Sequence, residues 1–325
     1  MEALLLLGFV ALILALLLVD LLLVNRDAHV IPMRTALGWT VFYACLAVAF
    51  GGLVYAMFRF GWAGAGTEFG VGLDAHRATM QYLTGWLLEQ SLSLDNVFVI
   101  ALVFQYFGVP LSQQHRVLFW GILGVLIMRG LMIGAGAVLI QRFDWIMYVF
   151  GALLLLTAAK LHFSKDEAVD PSRNLVVRFF RRLYPVTEGF RGSHFFVREN
   201  GKRAMTPLFL ALVVVETTDL VFAVDSIPAV FGVTTEPFLV FTSNIFAILG
   251  LRSLYFTLAG LMTRFHRVKT ALVFILAFVG VKMLIAHHVQ IPHSELVSLG
   301  VIAGALIAGV AASLLERPRD GGGPS

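Results

Sequence analysis

Nine runs of apolar residues, at about 2–24, 36–60, 80–107, 116–140, 144–163, 206–232, 236–260, 267–289 and 294–315, alternate with polar and basic stretches along the chain. Each run is long enough to cross a hydrocarbon core of about 30 Å at about 1.5 Å per residue. The pattern predicts an all-α polytopic membrane protein with about nine transmembrane helices. The run at the start opens Met1-Glu2, without a basic flank or a small-residue cleavage signature, and reads as a retained helix.

The Lys and Arg residues set the expected orientation. Seventeen fall in segments on one side of the membrane, nine of them between 164 and 205, against Arg59, Arg77 and Arg142 on the other. The positive-inside rule then places the N-terminus outside and the C-terminus inside. Composition points the same way: 59% hydrophobic, 14% charged and a mean hydropathy of +0.86 exclude an ordinary soluble domain. The net charge of +4 is explained by topology, and no nucleic-acid partner is expected. Cys45, the single cysteine, excludes an intrachain disulfide or thiolate cluster.

Runs three to five and six to eight resemble each other. Asp95-Asn96-Val97-Phe98 matches Asp219-Leu220-Val221-Phe222, and Arg129 and Arg252 follow 34 and 33 residues later. Arg142-Phe143 matches Arg264-Phe265, and Lys160 matches Lys282. Three spans per copy make the two copies cross in opposite senses, the inverted repeat of many secondary transporters. The expected organisation is therefore a two-helix segment (1–79), a first three-helix repeat (80–163), a cytoplasmic linker (164–205), a second inverted repeat (206–289), and a ninth span with a Gly/Pro-rich, disordered tail (290–325). Spans 1, 2 and 9 are peripheral. In the linker, Arg173 to Tyr184 alternates Arg178, Arg181 and Arg182 with apolar residues, as in a helix lying on an anionic leaflet. Asn200-Gly201 between strand-like flanks signals a tight hairpin.

The chemistry concentrates in two apolar runs that carry acids. The third contains Glu89, Asp95 and Asn96; the sixth contains Glu216, Asp219 and Asp225. A charge near a membrane helix centre costs roughly 2.5–3.5 kcal/mol on insertion scales, so five such carboxylates mark a site or path for a cation. At about 100° per residue, Glu89, Ser93 and Asn96 share a helix face, whereas Asp225 lies about 180° from Glu216. Pro228 leaves the carbonyl of Val224 without its helical donor, so a break there is expected to swing Asp225 toward the site. The donors are all oxygen, with Asp20, Ser93, Thr217 and Thr218 as accessory groups, and this favours Mg²⁺, Ca²⁺ or Mn²⁺ over softer ions. The structural alternative is that the acids only neutralise Arg129, Arg252, Lys160 and Lys282 in ion pairs. His287, His288 and His293 read as an interfacial cluster.

Both acidic segments, together with Gln113-Gln-His-Arg-Val-Leu-Phe-Trp-Gly121, Phe195-Phe-Val-Arg-Glu199 and Ser243-Asn-Ile-Phe-Ala-Ile-Leu-Gly-Leu-Arg-Ser253, resemble the motifs of the TerC family of integral membrane proteins. The likeness is to the branch that includes the Alx proteins, within the wider LysE-like transporter superfamily. It implies export of manganese across the bacterial cytoplasmic (inner) membrane, with Glu89, Asp95, Glu216, Asp219 and Asp225 as the motif acids. The expectation is thus a divalent cation (manganese) exporter working by alternating access. Manganese is its substrate, membrane lipids are its other partner, no resident cofactor is needed, and proton coupling runs through the carboxylates. Metal contacts fall to Glu89, Asp95, Asn96, Glu216, Asp219 and Asp225, and charge balance to Arg129, Arg252, Lys160 and Lys282. The rivals are a membrane-protein assembly factor and an oxyanion (tellurite) carrier. No His-Glu-x-x-His and no nucleophile–His pairing within a span suggests an enzyme.

Overall fold

A computed structural model describes residues 2–19, 33–143, 145–163, 175–199, 201–258, 266–285 and 294–315. Among these residues, the helices are α1 (Glu2–Val19), α2 (Met33–Phe60), α3 (Ala75–Phe107), α4 (Leu111–Arg142), α5 (Ile146–Phe163), α6 (Leu175–Leu183), α7 (Pro207–Phe231), α8 (Pro237–Leu258), α9 (His266–Ile285) and α10 (Ser294–Leu315). Seven of them, α2, α3, α4, α5, α7, α8 and α10, are long and apolar enough to cross a membrane, and α1 holds a shorter apolar stretch, Leu6–Leu16. The nine runs read from the sequence also include α9, helical over 20 residues.

Local chemistry sets the helix ends. Asp74 caps α3 by accepting from the backbone N of Arg77 at 2.9 Å, and Gly108 closes it at φ 66°. Pro207 opens α7 at a position where no amide hydrogen is needed. The longest helices are α3, with 33 residues, and α4, with 32. Between α6 and α7, strands β1 (Phe196–Glu199) and β2 (Lys202–Met205) pair antiparallel, with Gly201 at φ 76° between them.

The helix α8 sits at the centre. All its residues except Pro237, Phe241 and Phe256 are buried, as expected of a helix that is apolar on every side. It packs against α1, α2, α3 and α4; α7 packs against α3, α4 and α5. The helix α10 lies on α3 and α9, and α6 on α7. Aromatic rings fill the α2–α3–α8 region, where Phe50 stands 4.7 Å from Phe246 and the Tyr82 hydroxyl donates to the carbonyl of Ala47. The α5–α9 pair approaches through glycines: a Cβ on Gly151 would stand 3.1 Å from the Gly280 carbonyl, and one on Gly280 would stand 3.0 Å from that of Gly151.

One expectation is corrected. The helix α7 continues through Pro228 and ends at Phe231, so Asp225 is not swung by a break. Pro228 stands in the last turn, where losing a single backbone hydrogen bond disturbs little that follows. Glu216 and Asp225 therefore keep opposite faces of one helix.

Candidate functional site

Arg129 on α4 is the hub. Its side chain is 1% exposed and reaches three other helices. On α7, Nη2 stands 3.0 Å from Asp219 Oδ1 and Nε stands 3.2 Å from Oδ2, a two-pronged grip. On α3, Nη1 donates to Glu89 Oε1, and on α8 to Asn244 Oδ1 at 3.2 Å. Asn96 Nδ2 lies 3.5 Å from Asp219 Oδ1. One guanidinium is thus shared by two carboxylates. Glu89 Oε2 is buried with no hydrogen-bond donor among the described residues, an arrangement that costs free energy unless a proton, water or cation joins it.

The remaining aspartates lie elsewhere. Asp95 and Asn96 of α3, Thr157 of α5, and Asp225 and Ser226 of α7 line a cavity of about 90 Å³, whose other walls are Leu92, Leu161, Phe222, Leu272 and Leu276. Thr157 Oγ1 donates to Asp225 Oδ1 at 2.8 Å. Ser226 Oγ is buried and has no partner among the described residues. A liquid water occupies about 30 Å³, so the space admits a cation with one or two waters. Its walls offer carboxylate, amide and hydroxyl oxygens and carry no Arg or Lys.

Glu216 turns to a third neighbour. Any Cβ at Gly124 of α4 would collide with the Glu216 carboxylate, so this glycine forms the niche in which the acid lies. The structure thus divides the motif acids into Glu89 with Asp219, Asp95 with Asp225, and Glu216. Among the described residues, no three Asp, Glu, His or Cys side chains gather where one metal ion would touch them all. Asn96 belongs to both groups, lining the cavity while its amide faces Asp219.

The supporting residues separate too. Ser93 is buried at 1% exposure on α3. Thr217 turns its hydroxyl to the carbonyls of Val213 and Val214, and Thr218 is half-buried. Arg252 is buried on α8. Lys160 is exposed in the last turn of α5, and Lys282 donates to Ser298 of α10 at 2.9 Å. Asp20, His287, His288 and His293 lie outside the described residues.

Sequence reasoning missed Thr157, Ser226, Asn244 and Gly124. A polar residue inside an apolar run was the available signal for the first three. It also missed a polar cavity of about 380 Å³ at the C-terminal end of α7, lined by Arg77, Gln81, Glu236, Lys282 and Glu295 among others. There Arg77 pairs with Glu295 at 2.9 Å, and Glu236 accepts from the backbone N of Gly70 at 2.8 Å.

Residues 74–321 match the integral membrane protein TerC family. The chain is 46% identical over 309 residues to an uncharacterized membrane protein of Myxococcus xanthus, a match covering 95% of this chain and 91% of that one. It is 44% identical over 301 residues to a protein of Escherichia coli (strain K12) named as a candidate membrane-bound redox modulator, Alx, covering 92% and 91%. A membrane protein of Rickettsia bellii is 38% identical over 309 residues, covering 95% and 96%. No solved structure matches the chain.

Proposed function

This chain belongs to the integral membrane protein TerC family, and from that premise we propose that it exports a divalent cation, manganese first, across the bacterial inner membrane. The observation that carries the reading is the cavity that joins Asp95 and Asp225 with Asn96, Thr157 and Ser226. Two carboxylates neutralise a 2+ ion, and the polar groups set among the cavity's apolar lining offer oxygen donors, the kind that hard and borderline-hard cations prefer.

Arg129 acts as the tethered counter-cation. It holds Glu89 and Asp219 together while the cavity is free of metal, and Asn96 connects the two groups of acids. When the ion moves toward Asp219, the guanidinium grip loosens. The free oxygen of Glu89 accepts a proton in the counter-direction. Proton coupling of this kind predicts flux that responds to an imposed pH gradient, and indifference to the gradient removes it.

Helix pairing supports alternating access. In the proposed inverted repeat, α3, α4 and α5 correspond to α7, α8 and α9. The contacts α3–α8 and α4–α7 then exchange under a two-fold, as do α5–α7 and α3–α9, while α3–α7, α4–α8 and α5–α9 map onto themselves. That pattern suits two units rocking against each other about a shared site.

The oxyanion reading fares worse, because Arg129 is buried and already donates to Glu89, Asp219 and Asn244. The redox name of the relatives is compatible with moving a redox-active metal, and a single cysteine leaves no dithiol couple within the chain.

The deciding measurement is metal-resolved flux in proteoliposomes. Wild type should move Mn²⁺ above the empty-vesicle level, and Asp95→Asn or Asp225→Asn should lower that flux at least about tenfold, the loss of one charged ligand being worth at least about 1.4 kcal/mol. Asp225→Glu should also impair it, since one methylene misplaces the ligand; an assembly factor would tolerate that change. Flux unaltered by both Asn substitutions would overturn the reading.

A further inference from the structure

The helix α6 carries three kinds of surface around its nine residues. Val177 is 1% exposed, and Phe180 sets its ring 5.4 Å from Phe209 in an edge-on contact; these two residues dock the helix on the start of α7. Val176, Phe179 and Leu183 lie within about 60° of one another, at about 100° per residue, yet stand 37%, 59% and 56% exposed. Arg178, Arg181 and Arg182 occupy the remaining arc and are all exposed. Tyr184 and Phe196, 6.3 Å apart and each exposed, continue the apolar stripe onto the hairpin. There Arg198, Lys202 and Arg203 add further exposed charge.

We infer that the exposed stripe of α6, continued by Tyr184 and Phe196, is seated on the anionic headgroups of the membrane that α7 enters. Three observations select this occupant. The stripe adjoins the first turns of α7, so it lies where that span meets the membrane surface. Residues 175–205 hold seven Arg and Lys against Glu188 and Glu199, and Glu199 is taken by Arg191 at 2.9 Å. A second copy of the chain would bring the same basic surface against itself, which like-charge repulsion disfavours. An anionic leaflet instead accepts aromatic and aliphatic side chains at the acyl boundary and arginines at the headgroups. This surface is independent of the cation reading.

The test uses the full chain with Cys45→Ser and a single cysteine, Phe179→Cys, carrying an environment-sensitive fluorophore. The protein is reconstituted in phosphatidylcholine alone or mixed with phosphatidylglycerol. In the anionic vesicles, emission should shift to the blue and be quenched by brominated lipid. Adding Arg178→Gln, Arg181→Gln and Arg182→Gln should return the signal to the phosphatidylcholine level. Leu183→Cys serves as the second probe position, and Glu188→Cys, away from the stripe, as the water-exposed control. Water-like emission at both probe positions in both vesicles would overturn the inference. So would equal quenching with and without phosphatidylglycerol, or disulfide linkage of two copies through residue 179.

Discussion

At the residue scale, Arg129 ties together four helices and two carboxylates. Removing one member of a buried charge group leaves its partners uncompensated, a loss of about 3–5 kcal/mol. Arg129→Met should therefore lower the unfolding temperature in detergent markedly. Adding Glu89→Gln and Asp219→Asn to it should recover much of the loss, because the remaining groups are then neutral. If Arg129→Met unfolds like wild type, the cluster does not stabilise the fold. Two glycines of α4 make a second comparison. A Cβ on Gly121 would meet Val215 at an ordinary 3.6 Å, whereas one on Gly124 would strike the Glu216 carboxylate. Gly121→Ala should transport metal as wild type does. Gly124→Ala should push the Glu216 carboxylate, the flexible end of its side chain, out of its niche and cost stability at the low end of about 1–3 kcal/mol, measured against Gly121→Ala by thermal unfolding.

At the element scale, α5 and α9 meet in close backbone contact at Gly151 and Gly280. Gly280→Leu would drive a side chain against the Gly151 carbonyl and the Leu155 side chain, and should destabilise the protein far more than Pro228→Ala in the last turn of α7, as read by thermal unfolding. Comparable losses would mean that Pro228 holds more of α7 than its place suggests. The helices were legible in the sequence because long apolar runs have few other uses. Their starts were not. The helix α3 begins at Ala75 and α4 at Leu111, ahead of the apolar runs, since polar first turns such as Gln113-Gln114-His115 carry no hydropathy signal. The site acids were visible one by one, because charge in an apolar run is expensive. Which acid meets which was not visible, since that depends on the neighbour each helix face finds. Glu216 is one turn from Asp219 yet faces Gly124, while Asp225 finds Thr157 across the helix gap.

At the scale of the whole molecule, charge is divided between the two ends. The segment 61–74 has Glu68 and Asp74 but no Lys or Arg, while the α6–hairpin region is strongly basic. The positive-inside rule therefore predicts opposite exposure of these regions. In a Cys45→Ser background, a cysteine at Thr67 should react with a membrane-impermeant thiol reagent in intact cells, and one at Arg191 only after the cells are opened. The reverse result would invert the orientation. The lengths of α3 and α4 add a different consequence. At about 1.5 Å per residue they extend to about 50 Å, well beyond a hydrocarbon core of about 30 Å, so they must tilt or project from it. Glu89 and Asn96 ride on one of these helices and Arg129 on the other. Acyl-chain length would then act as a lever on the site: thicker bilayers set both helices more upright, thinner ones lean them over, and the grip of Arg129 on Glu89 shifts with the angle.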